Sequence, residues 1–153
     1  MFGKPVSAYL GFQKVVLAVL ATVGLARLGL SLAGVPNAAA AWLSMNAVGW
    51  AGVVYYGVAV HTRGFGSYKQ LLPLAFFQIV LQQAIAVLGI LLAIAGLPNV
   101  YAAPEFSFGA QNQWLHALSH LTIGIVVATL LLWGVSCLVL LVTRRVTRRP
   151  ALA

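Results

Sequence analysis

The chain has 153 residues, 62% hydrophobic and 7% charged, with nine Lys and Arg against one acid, Glu105, for a net charge of +8. A soluble domain carries about a quarter charged residues, so this chain has too few to cover a water-facing surface and reads as an all-α integral membrane protein. The single acid excludes a catalytic carboxylate pair, and the single cysteine, Cys137, excludes an intrachain disulfide or a zinc or iron–sulfur site built on thiolates.

Residues 1–13 form a short amphipathic lead holding Lys4 and Pro5, and a first apolar run extends over about 15–34 with one charge in it, Arg27. Lys4, Lys14, the apolar core and Ala38-Ala39-Ala40-Ala41 could pass for a cleaved leader. The run is long for a leader, Arg27 interrupts it, and its ending recurs later, so it is read as a membrane span. That ending is Ala33-Gly34-Val35-Pro36-Asn37, and it returns as Ala95-Gly96-Leu97-Pro98-Asn99. In each copy the glycine stands where a helix C-cap belongs, and the proline two residues on prevents continuation. Each copy is followed by a Trp-Leu pair, Trp42-Leu43 and Trp114-Leu115, that opens the next apolar run.

The second run, about 42–60, is rich in small residues: Ala47, Gly49, Ala51, Gly52, Gly57 and Ala59. Such faces let helix backbones approach closely in lipid, so this is expected to be the most tightly packed helix. Residues 61–70 carry Gly64, Gly66, Arg63 and Lys69 and read as a loop. A third run spans about 71–96, with Pro73 in its first turn and Gln78, Gln82 and Gln83 in its first half. A long connection, 97–114, holds Glu105, and a fourth run covers about 115–142 before a basic tail, 143–153.

The expected fold is an up-down bundle of four transmembrane helices, built from two similar parallel hairpins with outer loops at 35–41 and 97–114. Apolar runs of about 20 residues suffice for a hydrocarbon core of about 30 Å. In that layout Lys4, Lys14, Arg63, Lys69 and the tail arginines Arg144, Arg145, Arg148 and Arg149 share one side, where lipid headgroups would meet them. The positive-inside rule then puts both termini in the cytoplasm of a bacterial-type inner membrane. Nucleic acid is not an expected partner, since no basic stripe or binding motif accompanies the charge.

Four sets of residues could carry chemistry. His116 and His120 share one helix face, a spacing that can put two imidazoles on one metal, with Glu105 as a third ligand from the preceding loop. Sitting on one helix, they cannot ligate both faces of a single haem, and His61 belongs to the opposite end. Arg27 lies roughly 10 Å inside its span at about 1.5 Å per residue, where a charge costs about 2.5 kcal/mol or more unless it pairs or reaches the surface. Its options are Glu105, a lipid phosphate, backbone carbonyls or a bound ligand. Gln78 and Gln82 share a face and could bond to another helix or line a polar cavity. Asn46 is not their expected partner, because it sits near the outer end of its run and they sit in the inner half of theirs.

No enzyme motif emerges. The first expectation is therefore a non-enzymatic accessory, complex-forming or lipid-binding subunit, self-associated or part of a larger membrane complex. The second is a redox-associated protein binding metal, haem or quinone through His116, His120 and Arg27. The third is a small oligomeric transporter of anions or lipids. No cofactor is favoured.

Overall fold

A computed structural model describes residues 1–103 and 112–147. Their regular structure is all helical, with no strand among them: α1 (Val6–Leu32), α2 (Met45–Thr62), α3 (Tyr68–Ile94), a 3-10 turn (Val100–Ala102), α4 (Gln113–Ser119), a π-turn (His120–Gly124) and α5 (Ile125–Thr147). From α4 to α5 the chain is one continuous helix, Gln113–Thr147. This last helix, α1 and α3 are each long and apolar enough to cross a membrane. The shorter α2, with Asn46, His61 and Thr62 among its 18 residues, is not one of these.

The helices end as the repeated phrase dictates. Gly34 and Gly96 take the left-handed conformation, with φ of 80° and 90°. After each, the next amide reaches back to close the helix: Val35 N donates to Leu30 O at 3.0 Å and Leu97 N to Leu92 O at 2.9 Å. This is the Schellman closure that glycine favours. Gly64 ends α2 in the same way, with Phe65 N donating to Val60 O.

Helix starts depart further from expectation. α1 begins at Val6, directly after Pro5, so most of the supposed lead is helix. Gln13, at the end of that stretch, is fully buried and accepts a hydrogen bond from the Tyr56 hydroxyl. The α2–α3 loop shrinks to 63–67, because the Ser67 and Gln70 side chains form a capping box that starts α3 at Tyr68. The last helix extends to Thr147, so Arg144 and Arg145 sit on its last turn, whereas Arg148 and Arg149 lie outside the described residues.

One end of the molecule gathers the N-terminal segment, the α2–α3 loop and the close of α5. Gln70 Nε2 donates to Phe2 O at 3.0 Å, His61 Nε2 pairs with Thr147 Oγ1 at 2.9 Å, and Trp133 Nε1 donates to Tyr68 O at 2.9 Å. Lys4 lies over the Phe65 ring and Arg144 over Tyr68. This is the cationic end.

From there the core rises in three tiers. The first is Tyr9, Tyr56, Val60, Leu71, Leu74 and Leu140. Val53, Ala75, Ile79 and Leu132 follow, and then Leu20, Met45 and Ile85. α2 packs chiefly on α5, α5 also on α3, and α3 on α1. The glycines of α2 permit this. A Cβ at Gly57 would stand 2.5 Å from Val139, and one at Gly52 2.5 Å from Gln78 and 3.0 Å from Val16. Large apolar side chains such as Val15, Ile123 and Leu138 face outward, which suits a surface whose solvent is lipid.

Candidate functional site

At the end away from the cations the helices part around a cavity of about 220 Å³. Its wall takes Arg27 from α1, Ser44, Met45 and Asn46 from the start of α2, Gln82 and Gln83 from α3, Tyr101 from the 3-10 turn and His120 from the last helix. Of these, Arg27, Gln82 and His120 are the residues the sequence singles out. Ser44, Met45, Asn46, Gln83 and Tyr101 are additions.

Arg27 is held by the α1–α2 connection, which folds down beside α1. Its Nη1 donates to Leu43 O at 3.0 Å and its Nη2 to Asn37 Oδ1 at 2.7 Å. Of the expected partners, a backbone carbonyl is therefore one, joined by the asparagine of the repeated phrase. Glu105 lies outside the described residues.

Gln82 Nε2 donates to Asn46 Oδ1 at 2.7 Å, which corrects the expectation that the two lie at different depths. The two helices differ in length, so equal fractions along them are not equal depths: counted from the α2–α3 loop, Asn46 is about 24 Å along α2 and Gln82 about 21 Å along α3, at about 1.5 Å per residue. Gln78, one turn nearer the cationic end, is fully buried and donates to Gly49 O at 3.2 Å, while its Oε1 has no hydrogen-bond partner. It does not line the cavity.

His116 is buried and His120 half-buried, and their Nε2 atoms are 3.1 Å apart. His120 Nδ1 meets Gln83 Oε1. A carbonyl oxygen only accepts, so Nδ1 of His120 carries the hydrogen, its Nε2 is the lone pair, and His116 Nε2 donates to it. The helix widens here. The π-turn starts at His120, and nearby hydroxyls take up backbone carbonyls: Ser119 Oγ donates to His116 O at 2.6 Å and Thr122 Oγ1 to Leu118 O at 2.8 Å. Such turns occur mostly as single-turn bulges and often at functional sites.

The imidazole separation is also what two neighbouring positions on one metal ion need, given Zn–N bonds of about 2.0–2.1 Å. The Gln83 contact is of the kind that orients a metal-bound histidine. A metal would still need further ligands, and among the described residues no group of three His, Cys, Asp or Glu side chains converges. The histidines needed for a haem are not brought together: His61 is bonded to Thr147 at the cationic end.

Tyr101 closes the cavity from the side of the long connection. Its hydroxyl donates to Gly24 O at 3.0 Å, and burial pushes its pKa up to about 12 against the opposing pull of Arg27. The neighbouring Val100 N donates to Ser31 Oγ at 2.8 Å, tying the 3-10 turn to the end of α1. Apart from Gln83, which stands beside Gln82 in an otherwise apolar run, no sequence signal marks the added residues.

No protein-family model, curated protein or solved structure matches the chain.

Proposed function

We propose that this is a four-pass membrane protein of a bacterial-type inner membrane, with α2 as the short fourth span and both termini cytoplasmic. It serves as a non-enzymatic binding subunit, alone or within a larger assembly, whose outer cavity takes the polar head of a membrane-dissolved ligand. The observation that carries this reading is the cavity itself. A polar chamber is maintained inside an apolar shell, at the cost of placing an arginine within a membrane span. A ligand with an apolar tail and a polar head would suit both surroundings.

Native mass spectrometry of the protein released gently from its own membrane tests this. A co-migrating small mass that falls away in Gln82→Leu is expected. A bare chain, in every detergent mild enough to keep it folded, would refute ligand binding. The topology has its own check: single cysteines replacing Ser67 and Trp42 should label from opposite faces of the membrane.

The His116–His120 pair favours a second reading, a metal held through the two Nε2 atoms with other ligands from outside the described residues. Tight, stoichiometric zinc or copper uptake that is lost in His116→Ala would establish it. Absence of uptake would leave the pair as a hydrogen-bonded strut.

A further inference from the structure

Resting on the reading that the cavity binds a ligand head, we infer that this head is an anionic oxygen group, of the phosphoryl or carboxyl class. Each hydrogen bond around the chamber uses one donor and one lone pair, and most of the wall groups left with a hand to offer are donors. Asn46 Oδ1 is taken by Gln82, and Gln83 Oε1 by His120. Ser44 Oγ accepts from Ala47 N at 3.3 Å, which leaves its hydroxyl hydrogen to give. Asn37 Oδ1 and Leu43 O are taken by Arg27. The wall retains the Asn46 Nδ2 amide, the Gln83 Nε2 amide and the Ser44 hydroxyl as donors, with Gln82 Oε1 and the Tyr101 hydroxyl oxygen as the opposing acceptors. A ligand rich in acceptor oxygens satisfies that set, and a ligand rich in N–H or O–H groups does not.

The sign of charge follows from two further features of the same wall. Arg27 contributes a guanidinium. Ser44, Met45 and Asn46 are the N-cap and first turn of α2, an 18-residue helix whose first amides point out of its end. Helix N-termini favour anions for that reason. The volume, about 220 Å³, suits a head group rather than an acyl chain, so a lipid's tails would lie outside it. A lipid phosphate and free phosphate share this chemistry.

The full-length chain, purified in a non-ionic detergent, would be titrated with dioleoyl phosphatidic acid, dioleoylglycerol, a short-tailed quinone, dodecylamine and inorganic phosphate. Binding is read by native mass spectrometry and by thermal shift. Saturable binding of phosphatidic acid, about tenfold weaker in Asn46→Leu, supports the inference and names a lipid source. Saturable binding of inorganic phosphate supports it and names a soluble one. Asn46→Asp, which keeps the acceptor for Gln82 but replaces the amide donor, should weaken anion binding at least as much, so misfolding of the leucine variant would not hide the effect. Preferential binding of quinone or dodecylamine would overturn the anion inference while leaving the ligand-binding reading intact. Equal binding of phosphatidic acid and dioleoylglycerol, unaffected by either Asn46 variant, would overturn it too, since the tails alone would then be held. No saturable binding of any probe would overturn both.

Discussion

Asn99 donates its side-chain amide to the carbonyl oxygen of Gly89 at 2.7 Å, ten residues back along the chain. Asn37, its counterpart in the other copy of the repeated phrase, meets Arg27 at the same separation of ten. Both asparagines thus fold down onto the helix just ended, one onto a side chain and the other onto bare backbone. Gly89 makes the second contact feasible. A Cβ there would stand 2.6 Å from Tyr101 Cδ2 and 2.9 Å from Asn99 Oδ1. Gly89→Ala should therefore push the 3-10 turn off α3 and cost about 1–3 kcal/mol. Gly29→Ala, where nothing lies within 4 Å, should be neutral or stabilising by up to about 1 kcal/mol. Thermal melts of the two variants in detergent compare them. Equal behaviour would mean that Gly89 has room to spare.

The Gln82–Asn46 bond links α3 to α2 beside the cavity. A double-mutant cycle with Gln82→Ala and Asn46→Ala should return a coupling near 0.6 kcal/mol, and no more than about 1.7, the range for hydrogen bonds between membrane helices. Strictly additive effects would show that the two do not interact.

Among the described residues Arg27 donates to Asn37 and Leu43, and Asn37→Ala removes the first of these acceptors. Loss of a hydrogen bond to a charged group costs about 1.5–3 kcal/mol, so this single loop substitution should lower the melting temperature markedly. In an Arg27→Leu background the same substitution should be nearly silent. A full-size Asn37 effect in that background would place the role of Asn37 in the turn alone.

Tyr101 gives a pH signature. Its pKa rises from 10.0 to about 12 on folding, chiefly through burial. A raised value means that the neutral phenol is favoured in the fold. Its stabilisation is complete below pH 10 and is lost as pH climbs through about 12. Wild type should therefore lead Tyr101→Phe in melting temperature up to pH 10, and the gap should narrow above it. A gap that is constant with pH would mean that the hydroxyl titrates as in water.

Much of the helical layout was legible because the residues that end helices act locally. Gly34 and Gly96 take positive φ where their sequence context requires it, and Gly52 and Gly57 of α2 lie at close helix approaches, whereas Ala47 and Ala51 of the same small-residue run are exposed. The polar contacts were less legible, since each depends on how far two helices have travelled from a shared loop. Gln13 closes the stretch that reads as a lead before the first span, whereas here the Tyr56 hydroxyl gives it a partner in the core. Asn46 and Gln82 looked mismatched until depth was measured from the loop that joins their helices. The cavity depends on the α1–α2 connection and the 3-10 turn after α3 both folding inward, and no local pattern encodes that.

The widened turn at His120 records how the last helix is divided in two. Inserting one residue into a straight α-helix rotates everything beyond it by about 100°. A π-turn absorbs the extra residue in place, so Trp133 and Ser136 still meet Tyr68 and Val53 while His120 meets Gln83. The bulge therefore acts as a seam between two registers. On one side, the segment facing the cavity can change its lining by substitution. On the other, the packing register on α2 and α3 stays put. Deleting one residue within the bulge should therefore restore a regular α-helix while leaving both faces where they stand.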